Sequence, residues 1–134
     1  MALTKDRNTP RRDGKQLNDP VAANVKIYAG SLVCLDASGN AVPGATSTTL
    51  KARGVAQEQV DNTGGAAGDQ RIESRRGVFL FANSASTDLI ARADIGSQCY
   101  IVDDQTVAKT SATNTRSVAG TIRDVDSAGV WVEI

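Results

Sequence analysis

From Val21 onward, apolar residues recur at alternate positions in short runs broken by Gly, Asn, Asp and Pro, which is the pattern of half-buried β-strands joined by turns. The clearest instance is Ala93–Lys109, ADIGSQCYIVDDQTVAK. Gln98 to Val102 is apolar and β-prone, Asp103-Asp104-Gln105 is turn chemistry, and Thr106 to Lys109 resumes the alternation, so a β-hairpin is expected. Upstream, Val25 and Ile27 alternate with Lys26 and Tyr28. After a break at Ala29-Gly30, Ser31 to Leu35 reads as a strand that returns through the Asp36–Asn40 turn into Ala41-Val42. Leu50 to Val60 reads as a strand interrupted at Gly54, where a bulge or a close backbone approach is expected.

Asp61 to Asp69, DNTGGAAGD, is rich in glycine but lacks the Lys-Ser/Thr of a phosphate-binding loop, and reads as a mobile connector. Within Gln70–Asn83, Ile72 alternates with charged residues. Val78-Phe79-Leu80-Phe81 is apolar at every position and reads as a central strand buried on both faces. Ser84–Ile95 is the only helical candidate: Ser86 or Thr87 is placed to cap it, Asp88 lies in its first turn, Leu89 and Ile90 suit the core, and Gly96 ends it. It is expected as a connector or 3-10 turn. The last hairpin joins Arg116–Asp126 to Val130–Ile134 across Ser127-Ala128-Gly129, with Val130, Val132 and Ile134 facing one way and Trp131 and Glu133 the other. About eight to ten short strands in this pattern predict an all-β fold, a compact antiparallel β-barrel or sandwich with one short helical connector.

Residues 1–20 follow another rule. They hold five basic residues (Lys5, Arg7, Arg11, Arg12, Lys15), three acids, two prolines and only Leu3 and Leu17 as large apolar side chains after Met1. Ordering a backbone costs ~1–2 kcal/mol per residue and burying a leucine returns ~1.5–3 kcal/mol, so hydrophobic burial cannot hold this stretch on its own domain. Residues 1–20 are therefore expected as an extended arm and 21–134 as a single β-domain. Composition leaves open whether the arm docks on a partner or is a functionless terminus.

Fifteen Lys and Arg cancel fifteen Asp and Glu, so no net field draws the chain to nucleic acid or to an anionic membrane. The apolar runs fall far short of the ~20 residues of a membrane span, and the first residues lack the apolar core of a secretory signal; a protein made in the cytoplasm is expected. With no histidine in the chain, Ser-His and Cys-His nucleophiles are excluded. Cys34 and Cys99 lie in apolar strand-like runs and read as free buried thiols rather than a disulfide. The acid pairs Asp103-Asp104 and Asp124/Asp126 adjoin predicted turns, which favours turn roles over catalysis or cation binding. The doublets Arg11-Arg12 and Arg75-Arg76 lack interleaved aromatics for nucleic-acid stacking and suit salt bridges at a protein interface. No catalytic set, metal, cofactor or small-molecule substrate is expected.

Five segments, MALTKDRNTPRRDG, VAANVKIYAGSLVCLDASGNAVPG, QVDNTGGAAGDQRIESRRGVFLFANS, ADIGSQCYIVDDQTVAKT and RSVAGTIRDVDSAGVWVEI, span nearly the whole chain. Together they resemble the small capsid decoration, or cement, proteins of tailed phages and prophages. The ADIG, CYIVDD-x-TVAKT and RxVAGTI-x-DVD-x-xGVWV stretches are the most specific. The resemblance implies a β-rich virion protein on the outer surface of the head, a homotrimer whose partner is the major capsid protein and which stabilises contacts between capsid subunits without a cofactor. It makes the arm, with Leu3, Lys5, Arg7, Arg11, Arg12 and Leu17, the expected capsid-docking element. The alternative expectation is a head-fibre or host-surface glycan-binding module using the polar loops Ala45–Thr49 and Ser111–Thr115, although these loops lack an aromatic face.

Overall fold

A computed structural model describes residues 1–134. Twelve strands follow in order. They are β1 (Gln16–Pro20), β2 (Lys26–Ile27), β3 (Leu32–Leu35), β4 (Ala41–Pro43), β5 (Lys51–Ala56) and β6 (Val60–Asp61), then β7 (Arg71–Arg75), β8 (Val78–Phe81), β9 (Gln98–Ile101), β10 (Val107–Ala108), β11 (Val118–Asp126) and β12 (Gly129–Glu133). One five-stranded antiparallel sheet has the order β1-β7-β5-β3-β4, a second the order β10-β9-β11-β12-β8, and β2 pairs with β6 as a separate ribbon. A lone parallel bridge, Ala82 to Thr106, links the two margins of the second sheet. The sheets do not close into a barrel, and the architecture is sandwich-like.

Strand alternation builds three layers from this topology. On β3, Leu32 and Cys34 join one buried cluster while Val33 joins the other; on the neighbouring β5, Val55 and Ala56 divide the same way. The first cluster fills the space against the second sheet with Ile101, Val107, Ile122, Val130 and Val132. The second packs Val33, Ala56 and Ile72 against Ile27 and Val60 of the ribbon. The first sheet is thus covered on both faces, and β3, with Leu32, Val33 and Cys34 all at 0% exposure, is its doubly buried strand.

The run Val78–Phe81 does not take that place. It is β8, the margin of the second sheet, with Phe81 buried and Val78 and Leu80 exposed. An apolar run does not say how many layers will cover it. Gly77, at φ +156°, lies between β7 and β8, and although only two residues separate these strands they belong to different sheets.

The expected hairpins are present. Val107 faces Ile101 and Ala108 faces Tyr100 across β9 and β10, and β3–β4 and β11–β12 are antiparallel neighbours. In the last of these the turn is one residue tighter than expected, because Gly129 already pairs with Asp126. Gly54 sits at a bulge, as its place in a strand suggested, and a Cβ there would lie 2.6 Å from the Arg75 carbonyl oxygen.

One connector differs from expectation, and a second, of the expected 3-10 kind, differs only in its capping. The glycine-rich Asp61–Asp69 loop is anchored rather than free: Asn62, buried in it, donates Nδ2 to the carbonyls of Ala22 (2.9 Å) and Ala66 (3.0 Å), and Asn24 Oδ1 accepts from Gly64 N. Ser84–Ile95 holds two 3-10 turns, Ser86–Asp88 and Arg92–Asp94. Neither Ser86 nor Thr87 caps the first. Instead Asn83 brackets Ile90 through both its backbone groups, and Ile90 enters the core while Leu89 stays exposed.

Candidate docking surface

The sheet reaches back into the stretch expected as arm. β1 pairs antiparallel with β7 from Gln16↔Arg75 to Pro20↔Arg71, so residues 16–20 belong to the domain, and the boundary expected after Pro20 lies at Gln16. Hydrophobic burial is not what holds it, since Leu17 is only half-buried. Backbone pairing, the hydrogen bonds from Arg71 to Asn18 and one ion pair are. Arg53, the extra residue of the β5 bulge, donates Nε to Asp19 Oδ2 and Nη2 to Asp19 Oδ1, and Asp19 is 7% exposed. The Asp19 hydrogen bond raises the Arg53 pKa above its ordinary value.

Residues 1–15 are exposed throughout and contain no strand. Leu3 is 72% exposed, and Lys5, Arg7, Arg11, Arg12 and Lys15 form no ion pair within the chain. Five cations against two carboxylates make this arm net +3, which leaves the rest of the neutral chain at −3. Arg12, Gln16, Leu17, Asn18, Arg53 and Glu73 line a shallow pocket of about 160 Å³ where arm and sheet meet.

The fold adds to this basic segment two residues far away in sequence. Arg76 N donates to Lys15 O at 2.8 Å, and Arg75 lies opposite Gln16 in the register. Neither Arg75 nor Arg76 pairs with an Asp or Glu; Arg76 Nε donates to Ile134 O at 3.5 Å. The Arg76–Lys15 bond thus joins the doublet to the end of the basic arm in one strip. Each piece is visible in the sequence, but their junction depends on the β1–β7 pairing, which no local pattern encodes.

A second exposed feature lies on β8 and β12. Val78 (47% exposed) and Leu80 (42%) stand opposite Glu133 and Trp131, and the Trp131 Nε1 donates to Asp126 Oδ2 at 2.9 Å.

The acidic pairs have local partners. Asp103 Oδ1 accepts from Gln105 N, as a turn residue does, and Asp104 Oδ2 accepts from Ser31 Oγ at 3.3 Å. Asp124 pairs with Arg92, while Asp126 accepts from Trp131, Ala128 and Gly129, which hold its carboxyl below the ordinary range. No three His, Cys, Asp or Glu residues converge as a metal site requires. Cys34 and Cys99 are free and buried, and burial pushes both thiols up to about 12.

The polar loops are tied to the body. Thr46 Oγ1 donates to Val102 O, and Ser117 Oγ donates to Ser47 O and accepts from Leu50 N. In the other loop Ala112, Thr113 and Asn114 are all left-handed, at φ +50°, +61° and +60°. Comparison of the chain with protein-family models, with curated proteins and with solved structures finds no match.

Proposed function

We propose that the protein is a non-enzymatic virion component that binds the outer surface of a phage head and stabilises contacts between major capsid subunits. The observation that carries this reading is the basic strip. Lys15, Arg75 and Arg76 meet at the start of β1, Lys5, Arg7, Arg11 and Arg12 precede them in the arm, none of the seven pairs with an Asp or Glu of the chain, and Leu3 is exposed in the arm. Such a segment gains little by lying on its own domain. On an acidic protein surface it gains ion pairs that water is partly excluded from, together with burial of Leu3. The sequence resemblance names the surface as the major capsid protein. Val78 and Leu80, exposed beside Trp131, supply the apolar contact for self-association, and the assembled form is the homotrimer that the resemblance implies.

Heads lacking the protein, mixed with the full chain and with a chain deleted for residues 2–15, provide the test. The full chain co-sediments with heads, and the deleted chain stays in solution although folded. Equal binding by both removes the arm from the account. Arg75→Glu with Arg76→Glu is expected to weaken head binding without loss of fold. Native mass of head-bound complexes and of the free protein tests the trimer, and isolated monomers on the particle would exclude it.

A further inference from the structure

We infer that the groove between the Tyr28–Ser31 and Asp104–Gln105 turns is a binding subsite for a neutral hexopyranose. The groove has a volume of about 380 Å³ and is lined by Tyr28, Ala29, Gly30, Ser31, Asp104 and Gln105. That is the lower end of the range for small-molecule sites and suits one sugar ring. Its two walls come from turns more than 70 residues apart, between β2 and β3 and between β9 and β10.

Both walls are pinned through their backbones. Leu32 N donates to Asp104 O at 2.8 Å, Ala82 N to Gln105 O at 2.8 Å, Gly30 N to Ala56 O at 2.9 Å and Ala56 N to Ser31 O at 2.9 Å. The side chains, in contrast, are little used by the fold. The Tyr28 hydroxyl and the Gln105 carboxamide make no hydrogen bond within the chain, and Asp104 has no cationic partner and only the Ser31 hydroxyl as a side-chain donor. Tyr28 is 56% exposed, and Lys26 Nζ stands 4.9 Å from its ring centroid. A preformed backbone carrying unspent polar groups has little ordering cost left when a ligand arrives.

The combination matches sugar chemistry. A pyranose presents a patch of C–H groups that packs on an aromatic ring, and vicinal hydroxyls that donate to a carboxylate while an amide both donates and accepts. Tyr28, Asp104 and Gln105 supply one of each. The Asp104 carboxylate disfavours acidic sugars and phosphates, and the Lys26 ammonium over Tyr28 disfavours a cation, which favours a neutral ligand. The expected glycan loops have no aromatic side chain, and the ring that the chemistry needs is on the β2–β3 turn instead.

The test uses the full chain, uniformly labelled with nitrogen-15, titrated with the methyl glycosides of glucose, mannose and galactose. Choline serves as the competing probe, since a quaternary cation would use the same ring and carboxylate. Saturable amide shifts at Gly30, Ser31 and Gln105 with millimolar affinity are expected from at least one glycoside. Tyr28→Ala and Asp104→Asn should each weaken binding about tenfold, and Tyr28→Phe should retain it. Gln105→Ala, an exposed site with no side-chain bond to lose, provides a second variant should Tyr28→Ala fail to fold. Absence of shifts with every glycoside, shifts undiminished in the folded variants, or a response to choline alone would overturn the inference. Deletion of residues 2–15 should leave the sugar response unchanged, so this outcome is read separately from the arm's role.

Discussion

Arg53 holds Asp19 with two parallel hydrogen bonds, Nε to Oδ2 at 2.8 Å and Nη2 to Oδ1 at 2.9 Å, and so joins the β5 bulge to the strand that begins the domain. Because Asp19 is nearly buried, removing the guanidinium leaves a carboxylate without its partner in a poorly hydrated place. Arg53→Ala is expected to lower unfolding stability by about 2 kcal/mol. Arg53→Lys should restore little, since an ammonium cannot reproduce the fork. Urea denaturation gives the stabilities, and amide exchange along Gln16–Pro20 shows whether β1 is what loosens. Unchanged protection there would mean that backbone pairing and the Arg71–Asn18 hydrogen bonds hold the strand without the ion pair.

The same relationship sets where the arm can be cut. A chain lacking residues 2–15 retains β1 and its ion pair, and its urea midpoint should lie close to that of the full chain. A chain lacking 2–20 loses the strand, the Arg53 partner and the pairing with β7, and should be less stable by several kcal/mol. Similar midpoints for the two deletions would refute the placement of the boundary at Gln16.

Gly54 predicts a steric effect independent of charge. A Cβ at this position would approach the Arg75 carbonyl oxygen to 2.6 Å, so Gly54→Ala must push β5 and β7 apart and should cost about 1–3 kcal/mol. Gly14→Ala, where nothing lies within 4 Å, is the neutral control.

Backbone strain in the Ala112–Asn114 turn predicts the opposite sign. Thr113 is β-branched and sits at φ +61°, a conformation that costs roughly 1–2 kcal/mol and that glycine adopts freely. Thr113→Gly should therefore raise the thermal midpoint, despite the larger entropy of the unfolded glycine chain. A lowered midpoint would mean that the side chain contributes more than its backbone costs.

Acid should destabilise the protein through three carboxylates. Hydrogen bonds from Thr63 to Asp61, from Thr110 and Arg116 to Asp88, and from Trp131 and Ala128 to Asp126 hold all three below the ordinary carboxylate pKa. As pH falls the unfolded chain protonates first, so their contribution is complete above about pH 4 and is lost as pH drops through the lowered native values. Urea midpoints across that window should fall with pH. In Asp88→Asn the slope should be shallower, and an identical slope would remove Asp88 from the account.

The thiols test the core directly. With both held at about 12 by burial, Cys34 and Cys99 should resist iodoacetamide at mildly alkaline pH in the native protein and react together in denaturant. Fast labelling of either in the native state would show that its cluster opens locally.

What the chain's own alternation determined was the all-β class, the hairpins at Asp36–Asn40 and Asp103–Gln105, the facing of Val130 and Val132 opposite Trp131, and the burial of both cysteines. These depend on side-chain period and turn chemistry, which act over a few residues. Tertiary structure alone decided that β3 is covered on both faces while Val78–Phe81 lies at a margin, because coverage depends on which sheet comes to rest against which. It also decided that Gln16–Pro20 is strand, through pairing to β7 and an ion pair to Arg53, contributions that counting leucines in the arm leaves out. The meeting of Lys15 with Arg75-Arg76, and of Tyr28 with Asp104, belongs to the same class. Each joins residues far apart in sequence, and chain closure over that distance is settled by the packing of the whole domain rather than by any local preference.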